Sequence, residues 1–152
     1  MKLKYKIIFV LLIIGVGIQF IPTPINQDRK ENTPTAFVKL YSPPLKVQNL
    51  LKNSCNDCHS NYTAYPWYNK LQPMSWFLER HIKEGKSELN FDEFDTYSDR
   101  KKRNKLTSIK GQIEENEMPL SSYTFIHRES KLSDKEKEIL IFYFDSLSAL
   151  YY

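Results

Sequence analysis

Residues 47–59 read VQNLLKNSCNDCH, and the spacing within this stretch decides the fold. Val47, Leu50, Leu51, Cys55 and Cys58 recur at i, i+3, i+4, i+8 and i+11. At about 100° per residue they share one face of a helix, with His59 on its border. The helix is expected to begin near Pro44 and to direct both thiols into the core. A surface redox motif would not need that.

These are the chain's two cysteines. A disulfide framework spreads its cysteines to close long loops, whereas this pair closes almost nothing, so its use is chemical rather than structural. Cys55-Asn56-Asp57-Cys58-His59 is the C-x-x-C-H pattern of covalent c-type haem attachment. Two thiols three residues apart on a helical turn can meet the two vinyl groups along one haem edge, and the next residue brings an imidazole beneath the iron. Two other uses compete. Zinc usually takes four ligands, and there is no second cysteine pair. A thioredoxin-like pair belongs after a strand in an α/β fold, while this one ends a helix. Haem c is the expected cofactor, held by Cys55, Cys58 and His59.

One axial position on the iron then remains. Met118 leads the candidates: it lies 59 residues after His59, a spacing similar to that of small single-haem cytochromes c. Pro119 disfavours helix at Met118 and suits presentation of the thioether from a loop. A soft sulfur ligand raises the potential. A core-filling role is the commoner fate of methionine, but Glu114, Glu115, Asn116 and Glu117 make this stretch polar. His81 is the alternative sixth ligand; otherwise it is a hydrogen-bonded helix histidine beside aromatic residues. His127 reads as a surface or loop residue and Met74 as packing. The Pro66 carbonyl is a candidate acceptor for the His59 ring N–H. Trp67, Tyr68, Trp76 and Phe77 are candidate haem walls, or aromatic core without haem contact. The basic run from Arg100 to Lys105 could dock an acidic redox partner, though such runs are more often solvated helix faces. Asn61-Tyr62-Thr63 matches a glycosylation sequon and carries no weight.

Upstream, residues 7–21 read IIFVLLIIGVGIQFI behind Lys2, Lys4 and Lys6. A basic start followed by an apolar run is an export layout that keeps the N-terminus in the cytoplasm and carries the remainder of the chain across the membrane. Counted from Tyr5, the run barely meets the roughly 17 residues a membrane span requires. The flanking residues lack a small-x-small cleavage pattern, so an uncleaved transmembrane anchor over residues 1–21 is expected, with a cleaved signal and a soluble periplasmic domain as the rival. Residues 22–44 hold five of the eight prolines in a largely polar setting and read as an extended tether. The domain proper is expected over residues 45–152.

Within it, helices are predicted from Pro73 to about Glu84, from about Asp99 to Glu115, and from Ser133. Ser133 and Glu136 form a capping-box pattern. The face of that last helix is Ile139, Leu140, Tyr143, Phe144, Leu147, Leu150 and Tyr151. No alternating strand is found, so the fold class is all-α. Aromatic residues make up 14% of the chain, which suits a core built around a large flat ligand. Removing the three leading lysines from 22 basic side chains leaves 19 against 18 acidic. A near-neutral domain does not call for nucleic acid.

The wider string adds a resemblance. Cys55-x-x-Cys58-His59-Ser60-Asn61, Tyr65-Pro66-Trp67-Tyr68, Pro73, Ser75-Trp76, His81, Glu84-Gly85, Leu89-Asn90-Phe91, Glu117-Met118-Pro119 and Leu132-Ser133 together resemble the bacterial haem-binding domain family. The resemblance runs from about Val47 to Tyr143. It implies haem binding in the cell envelope on a cytochrome c-like helical fold, and supplies no physiological reaction. Three functions stand as expectations. The first is single-haem electron transport at the outer face of the bacterial cytoplasmic membrane, facing the periplasm, with a redox protein as partner. The second is a haem-based sensor or peroxidase-like protein with an open iron site. The third is a thiol-exchange protein without haem. No catalytic base with a substrate site is identified, and the chain does not read as an enzyme.

Overall fold

Residues 3–151 are described by a computed structural model. Lys2 of the basic start and Tyr152 at the end of the expected domain lie outside the described residues. Eight α-helices succeed one another, with short 3-10 turns between them and no strand among the described residues: α1 (Leu3–Gly17), α2 (Ala36–Tyr41), α3 (Leu45–Ser54), α4 (Asn56–His59), α5 (Met74–Glu88), α6 (Asp99–Glu114), α7 (Ser121–Ile126) and α8 (Asp134–Ser148). The fold is all-α.

α1 and the 3-10 turn after it form one apolar stretch, Leu3–Phe20, long and apolar enough to cross a membrane and with none of it buried against the domain. Its apolar side chains are spread around the whole helix rather than gathered on one face.

The helix predicted to start near Pro44 does so, with Pro44 at its N-cap, and buries Val47, Leu50 and Leu51. It breaks at Cys55, whose backbone (φ −129°, ψ −45°) leaves the helical path. A fresh turn comes next, closed by the His59 N–H on the Cys55 carbonyl at 3.0 Å. The break turns Cys58 and His59 off the axis of α3.

α5 starts one residue after Pro73 and runs to Glu88, four residues beyond the expected end. α6 begins at a Ser98 cap, whose side chain accepts from Lys101 N, and buries Leu106 and Ile113. At the head of α8 the Glu136 carboxylate accepts from the Ser133 amide at 3.1 Å and from its hydroxyl at 2.9 Å. α8 buries Leu140, Phe144 and Leu147 against α6 and α3. Ile139 and Leu150, expected on that face, are exposed.

Residues 22–44 are not a free tether. Asn26 is buried, and its side-chain amide donates to the Ser60 carbonyl and to Thr63 Oγ1, both at 2.9 Å. Arg29 pairs with Asp92 at 2.9 Å, with both side chains largely shielded from water. Thr35 caps α2, which places Phe37 at the centre of the core, fully buried. Phe91, Phe94, Phe144 and Tyr41 surround that ring with centroids 4.9–6.0 Å away. The domain therefore begins before residue 45, and much of its aromatic content packs on itself rather than on a ligand.

Candidate functional site

Cys55, Cys58, His59, Met118 and His81 all line one cavity of about 550 Å3. That volume falls within the roughly 300–1,000 Å3 of small-molecule and cofactor sites. Helices α4, α5 and α6 and the loop from α6 to α7 supply most of its lining. α4 supplies Cys58 and His59, with Cys55 at the break before it. α5 supplies His81, Glu84, Gly85 and Glu88. α6 supplies Lys105, Ser108, Ile109, Gln112 and Ile113, and the loop from α6 to α7 supplies Met118 and Pro119. Leu89, Phe91, Leu120, Tyr123 and Leu132 complete a mostly apolar wall.

α5 can approach α4 this closely because residue 85 is glycine. A Cβ there would stand 2.7 Å from the Cys58 carbonyl oxygen and 3.2 Å from Cys58 Cβ. The approach brings two backbone carbonyls to the His59 ring, where Nδ1 lies 3.0 Å from Gly85 O and 3.1 Å from Leu89 O. Two acceptors around one nitrogen fix the proton on Nδ1, which leaves the Nε2 lone pair free to bind a metal. The His59 backbone is fixed as well, its carbonyl accepting from Phe91 N at 2.8 Å. Burial lowers the His59 pKa below its ordinary value, against the weaker opposing pull of the two carbonyl hydrogen bonds. The shift favours the neutral ring, the form that ligates.

The two cysteines are free thiols. Burial, aided by the neighbouring Cys58 for Cys55 and by Asp57 for Cys58, pushes both up to about 12. Asp57, between them, has its own fixed partners. It accepts from Ala64 N at 3.0 Å and from the Tyr123 hydroxyl at 2.7 Å, which ties the motif to α7. Burial first, and then this carboxylate, raises the Tyr123 pKa and keeps the phenol protonated.

Several expected participants stand elsewhere. The Pro66 carbonyl accepts from Asn69 N, and Gly85 and Leu89 take its expected place at His59. Trp67 and Phe77 face solvent, and neither they nor Tyr68 and Trp76 line the cavity; Phe91 and Tyr123 are its aromatic walls. His127 stacks on Tyr123 at 4.5 Å and meets the Tyr68 hydroxyl at 2.7 Å, outside the cavity. Met74 is exposed. Asn61 is engaged by Asp92 and Asn90. Sequence reasoning assigned no role to Gly85, Asp57 or Tyr123. A glycine inside a helix, which costs about 1 kcal/mol relative to alanine, was the one signal available.

Among the described residues no three His, Cys, Asp or Glu side chains converge on a metal site, so a zinc centre draws no support. The donor set suits a flat iron-bearing ligand instead: one oriented imidazole, two thiols beside it, a thioether and a second imidazole, around an apolar cavity. Fold and site define a class, the small all-α domain with an interior cofactor site. The match to the family model for a haem-binding domain covers residues 13–146, so the chain belongs to the haem-binding domain family and haem is its cofactor. No curated protein and no solved structure matches the chain.

Proposed function

We propose that the chain is a single-haem electron carrier, with haem c attached through Cys55 and Cys58, His59 as one axial ligand and Met118 as the other. The observation that carries this reading is the His59 ring, held at Nδ1 by two carbonyls beside both thiols on the wall of the cavity. Each thiol would add across one vinyl double bond: a sulfur–carbon bond forms and the S–H proton goes to the other vinyl carbon. When bound, the haem supplies one-electron iron chemistry. The chain's own residues hold it, exclude water with Leu89, Phe91, Ile109 and Ile113, and fix the electronic character of the axial position.

Met118 is preferred to His81 by the arrangement of the walls. A second residue holding the iron would have to come from an element other than the one that backs His59. His81 lies on α5, the helix that backs His59 through Gly85 and Leu89, one turn before Gly85. Met118 comes from the loop after α6, a different element. Thiol exchange is disfavoured because thiols pushed up to about 12 by burial are not thiolates at neutral pH. For location, the span Leu3–Phe20 with Lys4 and Lys6 near its start suits an uncleaved anchor and an exported domain.

The test is the full chain co-expressed with a c-type maturation system. Expected are a covalent haem adduct by intact mass and a six-coordinate low-spin spectrum insensitive to carbon monoxide. Met118→Ala should open the site to carbon monoxide and lower the potential, while His81→Ala should leave both unchanged. An unmodified polypeptide would overturn the covalent reading, and carbon monoxide binding by the parent chain would favour a sensor or peroxidase-like protein.

A further inference from the structure

Large apolar side chains scattered singly over a surface are ordinary, but a contiguous cluster marks an interaction site. Residues 67–77 carry four: Trp67 (76% exposed) in a 3-10 turn, Leu71 at the C-cap of that turn, and Met74 and Phe77 (63% exposed) in the first turn of α5. None faces the cavity, and none joins the Phe37 core.

Four hydrogen bonds fasten this segment to the end of the apolar N-terminal stretch. The Gln72 amide donates to Gln19 Oε1 at 3.0 Å, and Gln19 Nε2 donates to the Gln72 carbonyl at 3.1 Å. Gln72 Nε2 donates to the Ile21 carbonyl at 3.3 Å and to Thr23 Oγ1 at 2.6 Å. Leu3–Phe20 is 18 residues long, about 27 Å at 1.5 Å per residue, against a hydrocarbon core of about 30 Å. A span that short leaves its last turn at the boundary of the core. Gln19 is in that last turn, so the residue clasping it is at the same depth.

We propose that the surface formed by Trp67, Leu71, Met74 and Phe77 is a lipid-facing seat that lays the domain on the headgroup layer beside α1, its partner being the phospholipid bilayer itself. This rests on the anchor reading above and goes beyond it: the domain does not hang from a tether but is held flat at a fixed orientation. Three features of the segment agree. Trp67 is of the residue type enriched at the membrane interface. Phe20 and Ile21, exposed at the foot of the span, flank the bonds from Gln19 and Ile21 to Gln72. Lys70, exposed in the same turn as Trp67, can meet lipid phosphate.

The experiment places photoreactive benzoylphenylalanine at four positions, one at a time, in the haem-loaded full chain. The chain is reconstituted in vesicles of phosphatidylethanolamine and phosphatidylglycerol, and lipid adducts are read by mass spectrometry. Phe9→benzoylphenylalanine reports the span, the Leu71 and Phe77 replacements report the seat, and Phe142 is the control. Phe142, at 78% exposure, is more open than Leu71 (47%) or Phe77 (63%) but lies on α8, which packs on α6 and α3. Expected are lipid adducts at positions 9, 71 and 77, with at least a tenfold lower yield at 142. Adducts at 9, with 71 and 77 no higher than 142, would overturn the seat and leave the anchor standing. No adduct at 9, or an intact mass lacking α1, would overturn both.

Discussion

Replacing Gly85 by alanine perturbs the contact that orients His59. The added Cβ would stand 2.7 Å from the Cys58 carbonyl oxygen, where ordinary contact begins near 3.4 Å. That oxygen belongs to backbone and cannot rotate away, so α5 must back off by about 0.7 Å. The hydrogen bond from His59 Nδ1 to Gly85 O, 3.0 Å long, would open to as much as about 3.7 Å, beyond bonding range. Overpacking costs roughly 1–3 kcal/mol and the lost hydrogen bond roughly 0.5–1.5 kcal/mol. The better helix propensity of alanine returns about 1 kcal/mol. The net expectation is a loss of about 2 kcal/mol. Urea unfolding of the haem-loaded full chain, monitored by helical circular dichroism and Soret absorption, measures it. An ordinary helix glycine responds in the opposite sense. If Gly85→Ala matches or exceeds the parent in stability with an unchanged spectrum, the close approach of α5 to Cys58 does not hold His59 in place.

Phe37→Ala should cost about 3–5 kcal/mol in the same assay, because its ring is fully buried among four other rings; a residue on a free tether would cost nothing. Asp92→Ala leaves Arg29 shielded without its partner and frees the Asn61 amide, so a loss of about 3–5 kcal/mol is expected by the same unfolding curve. At the head of α8, Lys46 first, then the Ser133 amide and hydroxyl, hold Glu136 down from its usual 4.5 to about 2. A depressed carboxylate contributes stability that is complete above pH 4.5 and is lost as pH falls towards 2. Unfolding of Glu136→Gln should accordingly show a shallower acid dependence than the parent in that window and differ least from it at the acid end.

Helices of fifteen residues repeat their apolar face often enough to be read from spacing, and the predicted starts of α5, α6 and α8 fall within a residue or two of the structure. α2 and α7 have six residues each. So short a helix completes under two turns, does not establish a period, and draws its stability from tertiary contact. Residues 22–44 were opaque for a related reason. Their prolines and polar side chains dominate the composition, while their attachments reach Ser60, Thr63, Tyr65 and Asp92, over thirty residues away. In the site, Cys55, Cys58 and His59 form a local string whose chemistry is written in residue types. The groups that orient His59 are two carbonyls 26 and 30 residues downstream. Every residue has a carbonyl, so residue type alone does not say which one accepts. The mark that could have been read is a missing side chain. A glycine deep in α5 gives up helix stability for no local return, and the return lies across the helix contact, where Cys58 leaves no room for a methyl group.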